Sequence, residues 1–113
     1  MVHAAHDEPT PDAVLEALGD PNRRAVLEIV AAGPCPVQAI ADRLPISRPA
    51  VSRHLRLLKE AGLVTDEAVG TKRVYRLRAE GVEVVRSYFE QLWSQAVVRY
   101  RLAAENVTER PLP

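Results

Sequence analysis

The chain of 113 residues has the length of one domain, which is enough to bury a hydrophobic core but leaves few further residues. The charges of its 15 basic and 15 acidic residues cancel, so the formal net charge is zero. Cys35 is the single cysteine, which excludes an intrachain disulfide framework. No uncharged stretch approaches the ~18 apolar residues of a membrane span, and the polar N-terminus does not resemble a signal peptide. We therefore expect a cytoplasmic protein without a membrane partner.

The first part of the chain predicts three short helices that follow a loose arm at residues 1–11. Asp12 is the candidate N-cap of the first helix. Asp20-Pro21 combines an N-cap with a proline at the first helical position, and so begins the second. A third helix follows a proline-rich break and ends at Pro45.

Residues 47–62 predict a fourth helix with two different faces. An apolar stripe at the i, i+4 and i+7 spacing is formed by Val51, Leu55 and Leu58. Ser47 is the candidate N-cap, and Pro49 fits the first turn, where its missing N–H is not needed. Serine and arginine occupy the other faces, which is the composition that the major groove of DNA requires. The alternative is an ordinary surface helix with solvated arginines.

Basic residues concentrate in two stretches, 43–59 and 72–78, which hold nine of the 15 and no acidic residue. Overall neutrality argues against a nucleic-acid binder, but this distribution outweighs it, because a concentrated positive face can engage phosphates. Thirteen of the 15 basic residues are arginine, which favours bidentate contacts to phosphate or guanine. No Gly-rich phosphate loop or paired carboxylate motif is present, so we do not expect an enzyme.

Beyond residue 62 the pattern changes to strands and then to a long helix. Strands at 63–67 and 73–77, joined by a Gly-containing loop at 69–72, predict a β-hairpin. A helix at about 80–106 carries more apolar surface than one small domain covers, which predicts a homodimer. The alternative is a helix that folds back onto its own domain. The expected dimer interface comprises Leu15, Leu18, Val85, Tyr88, Phe89, Leu92, Trp93, Ala96 and Tyr100.

The order helix, turn, basic helix, hairpin describes a winged helix-turn-helix, and three motifs make a resemblance specific. Residues 18–27 (LGDPNRRAVL) resemble the opening of the ArsR/SmtB family of bacterial repressors, and residues 46–55 with 58–64 resemble its recognition helix. Residues 70–77 resemble its wing. The resemblance implies a mostly α fold with a small β-hairpin and a long C-terminal dimerisation helix. We place this domain at 12–107 and a tail at 108–113.

The resemblance also implies a dimeric transcription regulator, usually a repressor, whose partner is double-stranded operator DNA. Its recognition helix is expected to enter the major groove through Arg48, Pro49, Ser52 and Arg53. Ser47 and Arg56 are expected at phosphates. Lys72 and Arg73 are expected to contact the backbone or minor groove, the alternative being a solvated hairpin tip. His54 is expected to be packed and hydrogen-bonded.

The metal sites of the resembled family are not expected here. Its soft-metal sensors carry a Cys-x-Cys-Asp run at the positions of Pro36, Gln38 and Ala39. Its zinc or nickel site on the last helix needs histidine, and none follows His54. An alternative regulator senses nickel or zinc weakly through the N-terminal residues His3, His6 and Asp7. Cys35 is either an inert thiol or a redox sensor.

We therefore expect a regulator without a cofactor, whose signal is an unrecognised ligand, a co-regulator protein or its own concentration. A second alternative is a winged helix that binds a protein and not DNA. Overall neutrality supports that alternative, whereas the acid-free stretch at 43–59 argues against it.

Overall fold

The computed structural model describes residues 8–109, with side chains to residue 105. Within that range the elements are α1 Pro11–Ala17, α2 Pro21–Ala32, β1 Cys35–Pro36, α3 Val37–Ala41, α4 Arg48–Glu60, β2 Val64–Val69, β3 Lys72–Leu77 and α5 Ala79–Glu109. The predicted mostly helical winged helix-turn-helix with a long last helix is confirmed. The division into arm, domain and tail stays a prediction.

Side-chain caps determine where the two central helices begin. The Asp20 carboxylate accepts the backbone N–H of the residue three positions on at 3.0 Å, and Pro21 follows it at the first helical position. Ser47 Oγ accepts an equivalent N–H at 3.2 Å at the start of α4. Both caps were predicted, because a polar residue ahead of an apolar periodic segment is a local signal.

Two predicted helix ends are wrong. Thr10, not Asp12, caps α1, because Pro11 occupies the first helical position and the cap must precede it. Asp12 lies in the first turn, where its charge favours the positive end of the helix. The α3 helix ends at Ala41, not near Pro45, because the chain tightens into turns with i to i+3 hydrogen bonds.

The three strands form an antiparallel sheet in the order β1-β3-β2. The hairpin of β2 and β3, here called the wing, was predicted, but its strands are longer than expected. They pair up to Val69 and Lys72, because a two-residue turn joins them and Gly70 takes a positive φ of 61° there. The β1 strand was not predicted, since a two-residue segment containing proline carries no strand pattern.

In the core, α4 packs between α2, α3 and the sheet. Fully buried side chains from all of these elements and α1 form the core: Val14, Val26, Val30, Ile40, Val51, Leu55, Leu58, Leu63 and Val64. Gly62 ends α4 with a φ of 84°, and a Cβ at Gly81 would clash with the Gly62 carbonyl oxygen. This close approach sets where α5 begins over the end of α4.

The α5 helix leaves the domain and does not fold back on it. Only its first part packs against α1, and the side chains of Trp93 and Tyr100 are 71% and 76% exposed. The radius of gyration is 19.7 Å, against about 13 Å for a compact chain of this length. The alternative of a helix covering its own domain is therefore wrong. No described helix is long and apolar enough to cross a membrane.

Candidate nucleic-acid interface

The start of α4 presents polar side chains to solvent on the side opposite its buried stripe. The predicted contacts at this position are all exposed: Ser47, Arg48, Pro49, Ser52, Arg53 and Arg56. This exposure follows from the helical period, since Val51, Leu55 and Leu58 face the core. A partner can therefore reach the face that the sequence assigned to DNA.

A chain of hydrogen bonds fixes Arg48 at the entrance of α4. Its Nη1 donates to Gln38 Oε1 at 3.0 Å, and Gln38 Nε2 donates to Asp42 Oδ1 at 2.8 Å. The α3 helix thus orients the guanidinium group before any ligand arrives. Sequence reasoning missed Gln38, because its partner lies ten positions away and only the i, i+4 spacing to Asp42 was visible.

The two basic stretches meet in a single concave surface of about 460 Å³ between α3, the start of α4 and the wing tip. We call this surface the wing groove, and its polar lining includes Gln38, Asp42, Arg48, Thr71, Lys72 and Arg73. The β1–β3 pairing holds the wing beside α3, because Cys35 and Pro36 pair with Tyr75 and Val74. Stretches separated in sequence are therefore neighbours in the fold.

The basic stretches contain no acid in sequence, but acids from other segments neutralise part of their charge. Asp66 of β2 contacts Lys59 Nζ at 2.8 Å and Arg73 Nη1 at 3.1 Å. Arg56 lies 4.0 Å from Glu60, an exposed pair of small energetic weight. Arg53 and Lys72 are exposed and form no ion pair with any residue of the described range, so their charges are available to a ligand.

The Asp66 carboxylate remains ionised in this setting. Burial raises the pKa of Asp66, but the hydrogen bond and charge of Lys59, with help from Arg73, outweigh burial and bring the pKa below its ordinary value. The hydrogen bond to Asp66 in turn raises the pKa of the Lys59 ammonium. The three groups form one charged cluster that connects the end of α4 to both wing strands.

His54 lies on the buried side of α4 and is not a groove residue, as the sequence predicted. Its Nδ1 is 3.5 Å from Arg23 Nη1, and Arg23 Nε donates to the Ala17 carbonyl at 2.7 Å. Because a guanidinium only donates, Nδ1 is the acceptor and the ring proton sits on Nε2. Burial lowers the pKa of His54 below its ordinary value, against the charge of Asp20, which raises it.

We expect His54→Gln to weaken the acid sensitivity of folding. The lowered pKa means that the unfolded chain binds more protons than the folded chain once the pH falls through about 6.5, so stability decreases as the pH falls. Glutamine keeps an acceptor for Arg23 and does not titrate. Urea unfolding at several pH values between about 7 and 5 measures this, and equal losses in both proteins would contradict it.

The expected dimer residues are largely uncovered. On α5, Tyr88, Phe89, Leu92, Trp93, Ala96 and Tyr100 are exposed. Tyr88 and Phe89 pack edge to face with ring centroids 5.6 Å apart. The remaining members, Leu15, Leu18 and Val85, are half-buried, and the last two also pack against the core. The exposed apolar surface of α5 thus continues toward α1.

The soft-metal position of the resembled family does not fit a metal. Ala39 and Pro36 offer no side-chain donor, and the amide of Gln38 is already bound by Arg48 and Asp42. Among residues 8–109, no three His, Cys, Asp or Glu side chains lie close enough to hold an ion. The candidates His3, His6 and Asp7 lie outside the described residues, and Cys35 is a half-buried free thiol in β1.

Comparisons with known proteins agree with this architecture. A family model described as a helix-turn-helix domain matches residues 18–67. The HTH-type transcriptional regulator Rv2034 of Mycobacterium tuberculosis is 45% identical over 91 residues, which are 80% of this chain and 85% of that protein. An ArsR-like transcriptional regulator from Rhodococcus sp. RHA1 superposes with a TM-score of 0.72 at 29% identity, covering 89% and 93% of the two chains.

A third relative is described as a homodimer. It is the winged helix-turn-helix DNA-binding domain Mb0332 of Mycobacterium bovis, a possible ArsR-family regulator. It matches with a TM-score of 0.59 at 28% identity, covering 90% of this chain and 85% of that one.

Proposed function

Because the chain belongs to the ArsR family of winged helix-turn-helix transcriptional regulators, we propose that it represses transcription by binding operator DNA as a homodimer. The observation that carries this proposal is the exposed polar face of α4 beside the wing groove. A protein that covers an operator excludes other proteins from it, which is the simplest route to repression. A DNA-binding regulator of this kind acts in the cytoplasm.

In this proposal α4 lies in the major groove and reads bases through its first two turns. Arg53 carries a charge free of ion pairs within the described range, and Arg48 is oriented by Gln38, so both suit the O6 and N7 acceptors of guanine. Ser52 lies on the same face, and Pro49 offers apolar contact to a thymine methyl group. Ser47, Arg56 and Lys72 bind phosphates and fix the register.

The exposed apolar surface of α5 supports the dimer, as does the homodimeric relative from Mycobacterium bovis. A two-fold axis through α5 presents two copies of α4 to the same side of a duplex. Such a dimer recognises an inverted repeat whose half-site centres are about one helical turn, or 10 base pairs, apart. The inverted symmetry of the operator sequence therefore matches the two-fold symmetry of the protein dimer.

Selection from a library of randomised duplexes tests the proposal for an operator of any sequence. We expect an enriched inverted repeat, bound far more tightly than unrelated DNA. Affinity should fall steeply with salt, by about 10³-fold or more between about 50 and 200 mM if six or more phosphates are contacted. A protein that enriches no motif and binds all duplexes alike would defeat the proposal.

We also propose that operator binding needs no metal cofactor. The affinity for the selected duplex should be unchanged by a chelator such as EDTA, because the soft-metal position has no suitable donors. Adding nickel or zinc should likewise leave it unchanged. A change of about tenfold or more that disappears in a chain lacking residues 1–8 would support the alternative site at His3, His6 and Asp7.

A further inference from the structure

Among the described residues, Asp66 has a more buried side chain than its acidic neighbours Glu60 and Glu67. Its side chain is only 7% exposed, whereas both of its partners are 53% exposed. Lys59 approaches it from the last turn of α4, and Arg73 approaches it from β3. One carboxylate therefore binds a cation from the recognition helix and a cation from the wing at the same time.

The two cations belong to the stretches that the sequence assigned to DNA, yet both are bound within the protein. A phosphate that approaches either cation is repelled by the nearby charge of Asp66, which weakens the attraction. Asp66 also keeps its charge, because Lys59 and Arg73 hold its pKa below the ordinary value. The carboxylate thus occupies the place that a DNA phosphate takes beside a free lysine or arginine.

We propose that Asp66 limits sequence-independent DNA binding by withholding Lys59 and Arg73 from the DNA backbone. Phosphate contacts add affinity for every duplex, so each cation withheld lowers binding to operator and unrelated DNA alike. Base contacts from Arg48 and Arg53 are unaffected. This inference rests on the proposed function and adds what limits the electrostatic part of DNA binding.

Asp66→Asn tests the inference, with Glu67→Gln as the matched control. Both changes remove one negative charge from neighbouring positions of β2. Glu67, however, is 55% exposed and lies 3.5 Å from Arg76, a solvated pair that holds its cation weakly. A general effect of net charge therefore appears in both variants, whereas release of Lys59 and Arg73 appears only in the first.

The measurement is the salt dependence of binding to an unrelated duplex, followed by fluorescence anisotropy between about 50 and 200 mM KCl. Each phosphate contact contributes about 0.9 to the slope of log K against log salt. We expect Asp66→Asn to steepen the slope by about 1 to 2 and to raise the affinity for operator and unrelated duplexes by a similar factor. A slope equal to that of Glu67→Gln would overturn the inference, as would an unchanged affinity for the unrelated duplex.

A second variant keeps the inference testable if Asp66→Asn fails to fold, as judged by circular dichroism. We expect Lys59→Gln combined with Arg73→Gln to leave the salt slope of the protein within about 0.5 of its original value, since neither side chain binds phosphate. A slope shallower by about 2 would show that both bind DNA and would overturn the inference. Failure of the unaltered chain to bind any selected duplex defeats the proposed function as well, whereas normal operator binding with these contrary slopes defeats this inference alone.

Discussion

Replacing Arg53 with alanine lowers operator affinity about 5- to 150-fold, the range set by the roughly 1–3 kcal/mol that one bidentate contact to guanine contributes. Arg53 is exposed on the second turn of α4 and has no ion-pair partner in the described range, so its loss removes a contact without freeing a buried charge. Affinity for unrelated duplexes should fall by less than about threefold, because base reading adds little there.

The control is Arg101→Ala, which removes the same charge from an exposed position on α5. It should change neither affinity by more than about twofold, since surface charges away from the groove act only through a screened field. Competition between the selected duplex and its single-base variants measures the discrimination directly. If Arg53→Ala weakens both kinds of duplex equally, Arg53 binds phosphate and does not read bases.

Most of the fold could be predicted, because its signals are local. The Asp20 and Ser47 caps precede apolar periodic segments, and Gly70 marks the turn of the wing. The strand at Cys35–Pro36 could not be predicted, because it exists only through pairing with β3. The Thr10 cap was missed for a narrower reason, since Asp12 is an equally good capping residue type but lies beyond the proline that begins the helix.

For the candidate site as well, the sequence predicted the features that depend on local patterns and missed those that depend on contacts between distant segments. Exposure of Arg48 and Arg53 follows from the helical period, and so could be predicted from the spacing of Val51, Leu55 and Leu58. The residues that orient or neutralise basic side chains of this surface could not be predicted. Gln38 orients Arg48 from another helix, and Asp66 neutralises two basic residues from a segment outside both basic stretches. A segment that contains no acidic residue can therefore still lie beside acidic side chains from other segments of the folded chain.

Replacing Leu92 and Trp93 together with aspartate should convert the dimer into a monomer. Both side chains lie on the exposed face of α5, and Leu92 is 49% exposed although it is apolar. Burial of one such side chain contributes about 1.5–3 kcal/mol, and the two-fold axis counts each residue twice. The dissociation constant of the dimer should therefore rise at least 100-fold. Sedimentation velocity should then report the 12.5 kDa mass of one chain in place of twice that mass.

Val98→Asp is the control, because Val98 is 55% exposed on the same helix but lies on a different face from Leu92 and Trp93. It introduces one negative charge, half of what the double variant introduces, at an exposed position of the same helix and should leave the dimer intact. The monomeric variant should also lose operator affinity, since two recognition helices no longer bind one duplex as a linked pair. If that variant still binds the full inverted repeat as tightly as the unaltered chain, dimerisation through α5 is not what positions the two copies of α4. A monomeric unaltered chain would leave the exposed face of α5 to a different partner.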